Sequence, residues 1–198
     1  MSAQKEHGMI QNHLILASAS PRRRELLTLM GIAFTVCAVD VDERREGASQ
    51  DVVRDLAFRK AAAAAEKHPG KTVLGADTLV FCQGETLGKP SDEADALRML
   101  RLLSGNTNIV YTGVCLIDGR TGRADVRLDR TEVQFTRFSD ESALRYIRTG
   151  EPMDKAGAYG VQGMGGMFVS AIQGSPSNVI GLPMQLVRDM LMSIGWEL

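Results

Sequence analysis

The sequence predicts an α/β fold, and three observations carry that reading. Short β-like runs alternate with helical patterns along the whole chain. The helical patterns have residues that start and stop them. The 198 residues are 44% hydrophobic, enough to bury the core of one domain.

Taken in order, Leu14–Ala17 reads as a buried strand. Ser20 then caps a helix with Pro21 in its first turn, and Gly31 ends it. Phe34–Val39 reads as a second strand, followed by an acidic irregular stretch from Asp40 to Gln50. The longest helix is expected over Asp51–Lys67, broken by Pro69-Gly70. Thr72–Ala76 and Leu79–Cys82 read as two strand pieces on either side of Asp77-Thr78. Ser91 is expected to cap a helix through Leu103, and Ile109–Ile117 with Ala124–Phe135 to form a hairpin. Ser139 caps a helix ending at Thr149-Gly150, and Pro183 opens the last, to Ile194. Between them, Glu151–Gly166 has no periodicity and is rich in glycine. A loop of that length within a domain usually serves function.

Composition excludes several classes. Lys and Arg total 23 against 24 Asp and Glu, so there is no broad basic footprint for nucleic acid. Cys37, Cys82 and Cys115 are scattered and odd in number, which argues against a disulfide framework or zinc knuckle. No apolar run nears the roughly 20 residues of a membrane span. Residues 1–12 are polar, without the apolar stretch of a signal peptide, so a cytoplasmic address is expected. Gly70-Lys71-Thr72 imitates the end of a phosphate-binding loop, but Ala65 stands where a glycine is needed. His7, His13 and His68 form no catalytic pattern.

Candidate chemistry begins at the first strand-to-helix junction. Ser18, Ser20, Arg22, Arg23 and Arg24 surround a helix N-terminus, which favours anions. Leu26, Leu27, Leu29 and Met30 define an apolar arc; Arg22 and Arg23 fall within it and Arg24 points away. Two arginines on a core-facing stripe need partners, whereas three solvated arginines is the plainer alternative. Asp77 sits among apolar strand residues, where a carboxylate is costly unless it binds a metal, acts as a base or occupies a turn. Asp42 and Glu43 offer further hard oxygen ligands for Mg²⁺ or Mn²⁺, or form a solvated loop. Lys60 and Lys89 each read alone as surface lysines.

Together these segments resemble the Maf family of nucleoside triphosphate pyrophosphatases. The matching pieces are Leu16-Ala-Ser-Ala-Ser-Pro-Arg-Arg-Arg-Glu-Leu-Leu27, Gly75-Ala-Asp-Thr78, Gly88-Lys-Pro90, Asp154-Lys-Ala-Gly-Ala-Tyr-Gly-Val-Gln-Gly163 and Gly181-Leu-Pro183, in the family's order. The resemblance implies a two-lobed α/β fold of the inosine triphosphatase type around a mixed twisted sheet. Residues 13–198 would form one such domain with a central cleft, after an extension over residues 1–12, and would usually pair as a homodimer. It implies hydrolysis of a nucleoside triphosphate to the monophosphate and pyrophosphate with Mg²⁺ or Mn²⁺. Asp77 matches the proton acceptor; Ser18, Arg23, Lys60 and Lys89 match phosphate-binding positions, and Asp42, Glu43 and Asp77 the metal neighbourhood. Arg22, Thr78 and Gln162 resemble the branch acting on dTTP and UTP rather than the one preferring 7-methylguanosine triphosphate. A glutamine amide can also donate to O4 and accept from N3–H of thymine or uracil. Gly174-Ser175-Pro176-Ser177 departs from that branch, which usually carries an aromatic there. The alternatives are a regulatory binding protein of the kind linked to septum formation, a paralogue preferring another base, or an enzyme removing one terminal phosphate.

Overall fold

The computed structural model describes residues 13–42 and 47–198. The elements run β1 (His13–Leu16), α1 (Pro21–Leu29), β2 (Ala33–Val36), α2 (Ser49–Lys67), β3 (Thr72–Cys82), β4 (Glu85–Leu87), α3 (Glu93–Leu103), β5 (Thr107–Ile117), β6 (Ala124–Phe135), α4 (Asp140–Ile147), β7 (Val169–Gln173), α5 (Pro176–Ile180) and α6 (Met184–Ser193). One mixed sheet holds all seven of these strands, in the order β2-β1-β3-β5-β6-β7, with β4 also paired to β3. The predicted α/β class is therefore correct.

Strand alternation sorts the side chains onto two faces. Leu14, Leu16, Leu74, Ala76, Val114 and Leu116 pack with α1 and α6. On the opposite face Ile15, Ala17, Val73 and Cys115 meet the alanines of α2. Farther along, Val80 and Val110 pack with α3, α4, Tyr159 and Phe168. The alanine run of α2 is thus a close-packing surface. Gly75 of β3 and Gly113 of β5 are the matching devices: a Cβ at Gly75 would lie 2.8 Å from Ala61 N, and one at Gly113 2.5 Å from Val53 C.

Several expectations need correction. Thr72–Cys82 is one strand of 11 residues, not two pieces, because β5 pairs it without a break from Val73↔Ile117 to Phe81↔Ile109. Asp77 and Thr78 are strand residues, and the turn reading fails. The cap of α3 is Asp92, which accepts from Asp95 N at 2.7 Å; the carboxylate of Asp95 accepts from Ser91 N in return. That reciprocal pair selects Asp92 over its neighbour. Ser20 occupies the N-cap of α1, but its hydroxyl makes no capping bond. Leu29 is 74% exposed and leaves the apolar arc, since at about 100° per residue it falls at the edge of the face that Leu26 and Leu27 bury. The expected irregular stretch Glu151–Gly166 instead holds 3₁₀ turns at Glu151–Asp154 and Ala156–Ala158 and the start of a third, Met164–Phe168. The short elements β4, β7 and α5 have no counterpart in the sequence reading. Cys37, Cys82 and Cys115 are free thiols, and burial pushes Cys115 up to about 12, so it is no nucleophile at neutral pH. No helix among the described residues is long and apolar enough to cross a membrane.

Candidate active site

A break in strand pairing creates the site. The edge of β3 opposite β5 is paired by β1 over residues 72–74 and by β4 over residues 80–82. Between them, residues 75–79 have no strand on that side among the described residues, and the chain of β1 leaves there through Ser18 into α1. Asp77 and Thr78 stand in this gap. A cleft of about 600 Å³ opens over it, lined by α1's N-terminus, by β3 and by the glycine-rich segment. That size and position, at the C-terminal end of a parallel strand, suit a small-molecule site.

The two strand neighbours point to opposite faces. Asp77 shares the α2 face with Gly75, where close packing brings Lys60 within reach. Lys60 Nζ donates to Asp77 Oδ1 at 2.7 Å, with side-chain exposures of only 12% and 7%. Asp77 Oδ2 is buried and has no hydrogen-bond partner among the described residues. A carboxylate oxygen kept from water and protein donors is costly unless a ligand reaches it.

Thr78 faces the other way, into a chain of hydrogen bonds. Asn178 O can only accept, so Thr112 Oγ1 donates to it at 3.3 Å. Thr112 must then accept from Thr78 Oγ1 at 3.0 Å. With its proton committed, Thr78 accepts from Arg23 Nη2 at 3.1 Å. Arg23 also donates to Ser18 Oγ at 3.1 Å and Gly181 O at 2.8 Å. Asn178 is anchored in turn by bonds from its amide to Val110 O and Thr131 Oγ1. Arg23 is therefore oriented before any ligand arrives.

The glycine-rich segment closes the remaining side. Arg22 Nη1 donates to Asp154 Oδ2 at 2.9 Å, bridging 132 residues of chain. Lys155 Nζ shares that carboxylate at 2.7 Å. Burial raises Asp154, but Lys155 and Arg22 outweigh it and hold the group below the ordinary aspartate value. Gln162 and Lys89 also line the cleft, both with exposed side chains.

The structure thus brings together Ser18, Arg22, Arg23, Lys60, Asp77, Thr78, Lys89 and Gln162 around one cleft. Asp42 is exposed and is not among its lining residues; its carbonyl accepts from Arg59 Nη1 at 2.6 Å. Glu43 lies outside the described residues, as does the extension over residues 1–12. Among the described residues, no three His, Cys, Asp or Glu side chains gather to hold a metal by themselves. Arg24 is exposed, as its place on the helix predicts. Glu151, Thr112 and Asn178 join the site without a role assigned from the sequence. Thr112 has no visible signal, because threonine is an ordinary strand residue.

The family described as Maf-like protein matches residues 13–194. A dTTP/UTP pyrophosphatase of Moorella thermoacetica is 47% identical over 184 residues, covering 92% of this chain and 95% of the relative. Its counterpart in Thermococcus gammatolerans is 47% identical over 184 residues, covering 93% and 97%. The Citrifermentans bemidjiense protein of the same name is 48% identical over 189 residues, covering 94% and 98%. The likeness spans the strand-to-helix junction, the gap in β3 and the glycine-rich segment alike: the chain belongs to the Maf family.

Proposed function

We propose that this cleft hydrolyses dTTP and UTP, and related modified pyrimidine triphosphates, to the nucleoside monophosphate and pyrophosphate. The observation that carries the reading is Asp77, a buried carboxylate with one oxygen held by Lys60 and the other without a partner among the described residues. It stands in a cleft whose other walls supply Arg23, Lys89 and the N-terminus of α1. The names of the relatives support the same substrates.

Phosphoryl transfer asks a protein mainly for positioning and charge neutralisation. Ser18, Arg23, Lys60 and Lys89 would hold the triphosphate, with the N–H groups opening α1 adding to them. Asp77 would orient a water and take its proton as the oxygen attacks the α-phosphorus, with pyrophosphate leaving. Arg22, Thr78 and Gln162 would read the base. Thr78, whose proton is committed to Thr112, can offer only an acceptor to a ligand. The Gln162 amide can satisfy O4 and N3–H of a thymine or uracil edge.

A divalent cation, Mg²⁺ or Mn²⁺, fits the donor set in one way. Asp77 Oδ2 is a hard oxygen lacking a partner among the described residues, and Mg²⁺ often takes one or two carboxylates with waters and substrate phosphates. When bound, such an ion would neutralise charge on the triphosphate. Asp42 and Glu43 belong to the proposal as further ligands from the acidic loop. So do the two-lobed division about the cleft, the homodimer, the cytoplasmic address and a nucleotide as partner, with no nucleic acid or membrane. The near-neutral charge supports the last point.

Product analysis tests the reading. The protein, incubated with dTTP and Mg²⁺ or Mn²⁺, should release dTMP and pyrophosphate in equal amounts. Release of dTDP and phosphate would replace it with terminal-phosphate removal.

A further inference from the structure

Gln162 stands in the cleft lining, yet its side chain makes no hydrogen bond to the described residues. Its position is therefore set by the backbone around it. That backbone is tied at both ends to one pair of side chains. Tyr146, 1% exposed at the end of α4, accepts from Gly160 N at 3.1 Å through its phenol oxygen. The same phenol donates to Glu151 Oε1 at 2.8 Å. Glu151 Oε2 accepts from Met164 N at 2.9 Å, and Oε1 from Gly165 N at 3.3 Å. Two residues before Gln162 and two and three after it, the chain is thus pinned to a single phenol–carboxylate unit.

The glycines of this segment are explained by that unit. A Cβ on Gly163 would come within 2.5 Å of the Glu151 carboxylate carbon, and one on Gly165 within 2.5 Å of the Tyr146 oxygen. A Cβ on Gly160 would lie 2.6 Å from Lys155 Cε. Lys155 itself donates to Glu151 O at 2.6 Å. The segment is glycine-rich because it is wrapped around side chains, which is the opposite of a free loop. Tyr146 is fixed from behind by Phe168, edge to face at 5.6 Å. Burial raises the Glu151 carboxyl, but the Met164, Tyr146 and Gly165 donors and Lys155 outweigh it, leaving a carboxylate below its ordinary value.

We propose that Glu151, acting through Tyr146 and the amides of residues 160–165, is a positioning residue that fixes Gln162 over the cleft and so sets the choice of base. This rests on the pyrophosphatase reading above. Glu151 borders the cleft, but its carboxylate is taken up by Tyr146, Met164 and Gly165, so its effect would reach the substrate through the loop. A glutamine in its place keeps the length and loses one acceptor, because its NH₂ would face N–H or O–H donors.

The test compares full-length wild type, Glu151→Gln and Tyr146→Phe. Steady-state kinetics are measured for dTTP and dCTP, with amide hydrogen exchange over residues 157–166 and the melting temperature. Loss of a charge-assisted bond predicts a drop of about tenfold or more in the dTTP to dCTP ratio of kcat/KM for Glu151→Gln. The change should fall on KM more than kcat, with faster exchange at residues 160–165. Tyr146→Phe, lacking one oxygen, should move the ratio the same way by less, and it carries the test alone if Glu151→Gln does not fold. A ratio within about twofold of wild type, however far the melting temperature falls, would reduce the pair to a structural brace and overturn the proposal. If wild type turns over no triphosphate, the pyrophosphatase reading fails, and exchange decides the positioning role by itself. Unchanged exchange in the variants would then overturn it and faster exchange support it.

Discussion

Lys60 Nζ sits 2.7 Å from Asp77 Oδ1 in a pair that is almost sealed from solvent. Helix α2 makes the approach possible by lying directly on Gly75 and Gly113. Removing one member of a buried pair leaves the other uncompensated. Lys60→Met is therefore expected to lower stability by about 3–5 kcal/mol, read from urea unfolding. Asp77→Asn should leave far-UV circular dichroism unchanged and reduce dTTP turnover by about 10²–10⁴-fold, the usual contribution of a general base. An Asp77→Asn enzyme within threefold of wild type would remove Asp77 from the chemistry.

The Arg22–Asp154 bridge makes a different prediction. With side-chain exposures of 24% and 58%, it is a partly solvated pair that contributes about 1 kcal/mol or less to stability. Asp154→Asn should shift the melting temperature little. It should weaken pyrimidine triphosphate binding, because the glycine-rich segment loses the ionic part of its tie to α1 and keeps only the longer bond from Arg22 Nη2 to Asp154 O at 3.4 Å. A KM for dTTP equal to wild type would show that the tie is idle in function.

Thr112→Val tests the hydrogen-bond chain behind Arg23. The substitution keeps the shape, removes one of two donors to Asn178 O, which keeps its bond from Gly181 N at 2.9 Å, and leaves Thr78 without its acceptor. A cost of about 1 kcal/mol is expected from the partly buried Thr78 hydroxyl left without its acceptor. Thr78, freed to rotate, should also reduce discrimination between bases. A neutral Thr112→Val variant would mean that water replaces the lost partner.

Glu151 and Asp154 give a pH dependence with a definite sign. Both are held below their ordinary values of 4.5 and 3.8, so in the folded state they favour the ionised form. Their contribution is complete above the unfolded values and is lost as pH falls through the lower folded ones. Urea midpoints should stay level above about pH 5 and decline below about pH 4, with a shallower decline in Glu151→Gln. An identical acid limb in that variant would exclude Glu151 as a contributor.

The sequence exposes some parts of this site and hides others, for physical reasons. Asp77 stands out because carboxylates are rare in strands, and the Ser20-Pro21 junction is a strong helix start. The pairing break that opens β3 beside Asp77 leaves no local trace, since it depends on where β1 ends and where β4, only three residues long, begins. Lys60 reads as a surface lysine until α2 is placed on the sheet. Glu151 reads as a loop residue although it organises the loop, because all its donors but Lys155 are on backbone amides or on α4. The apolar arc of α1 names Arg22 and Arg23 correctly as the partnered arginines even though Leu29, part of the same arc, is exposed.

Hydrolysis of dTTP in ¹⁸O-labelled water, with Mg²⁺ or Mn²⁺ and an Asp77→Asn control, tests the central claim most directly. A water oriented by Asp77 onto the α-phosphorus puts the label in dTMP and leaves pyrophosphate unlabelled, with the reaction lost in the control. Label in pyrophosphate or in inorganic phosphate, or labelled dTMP formed as fast by Asp77→Asn, would contradict it.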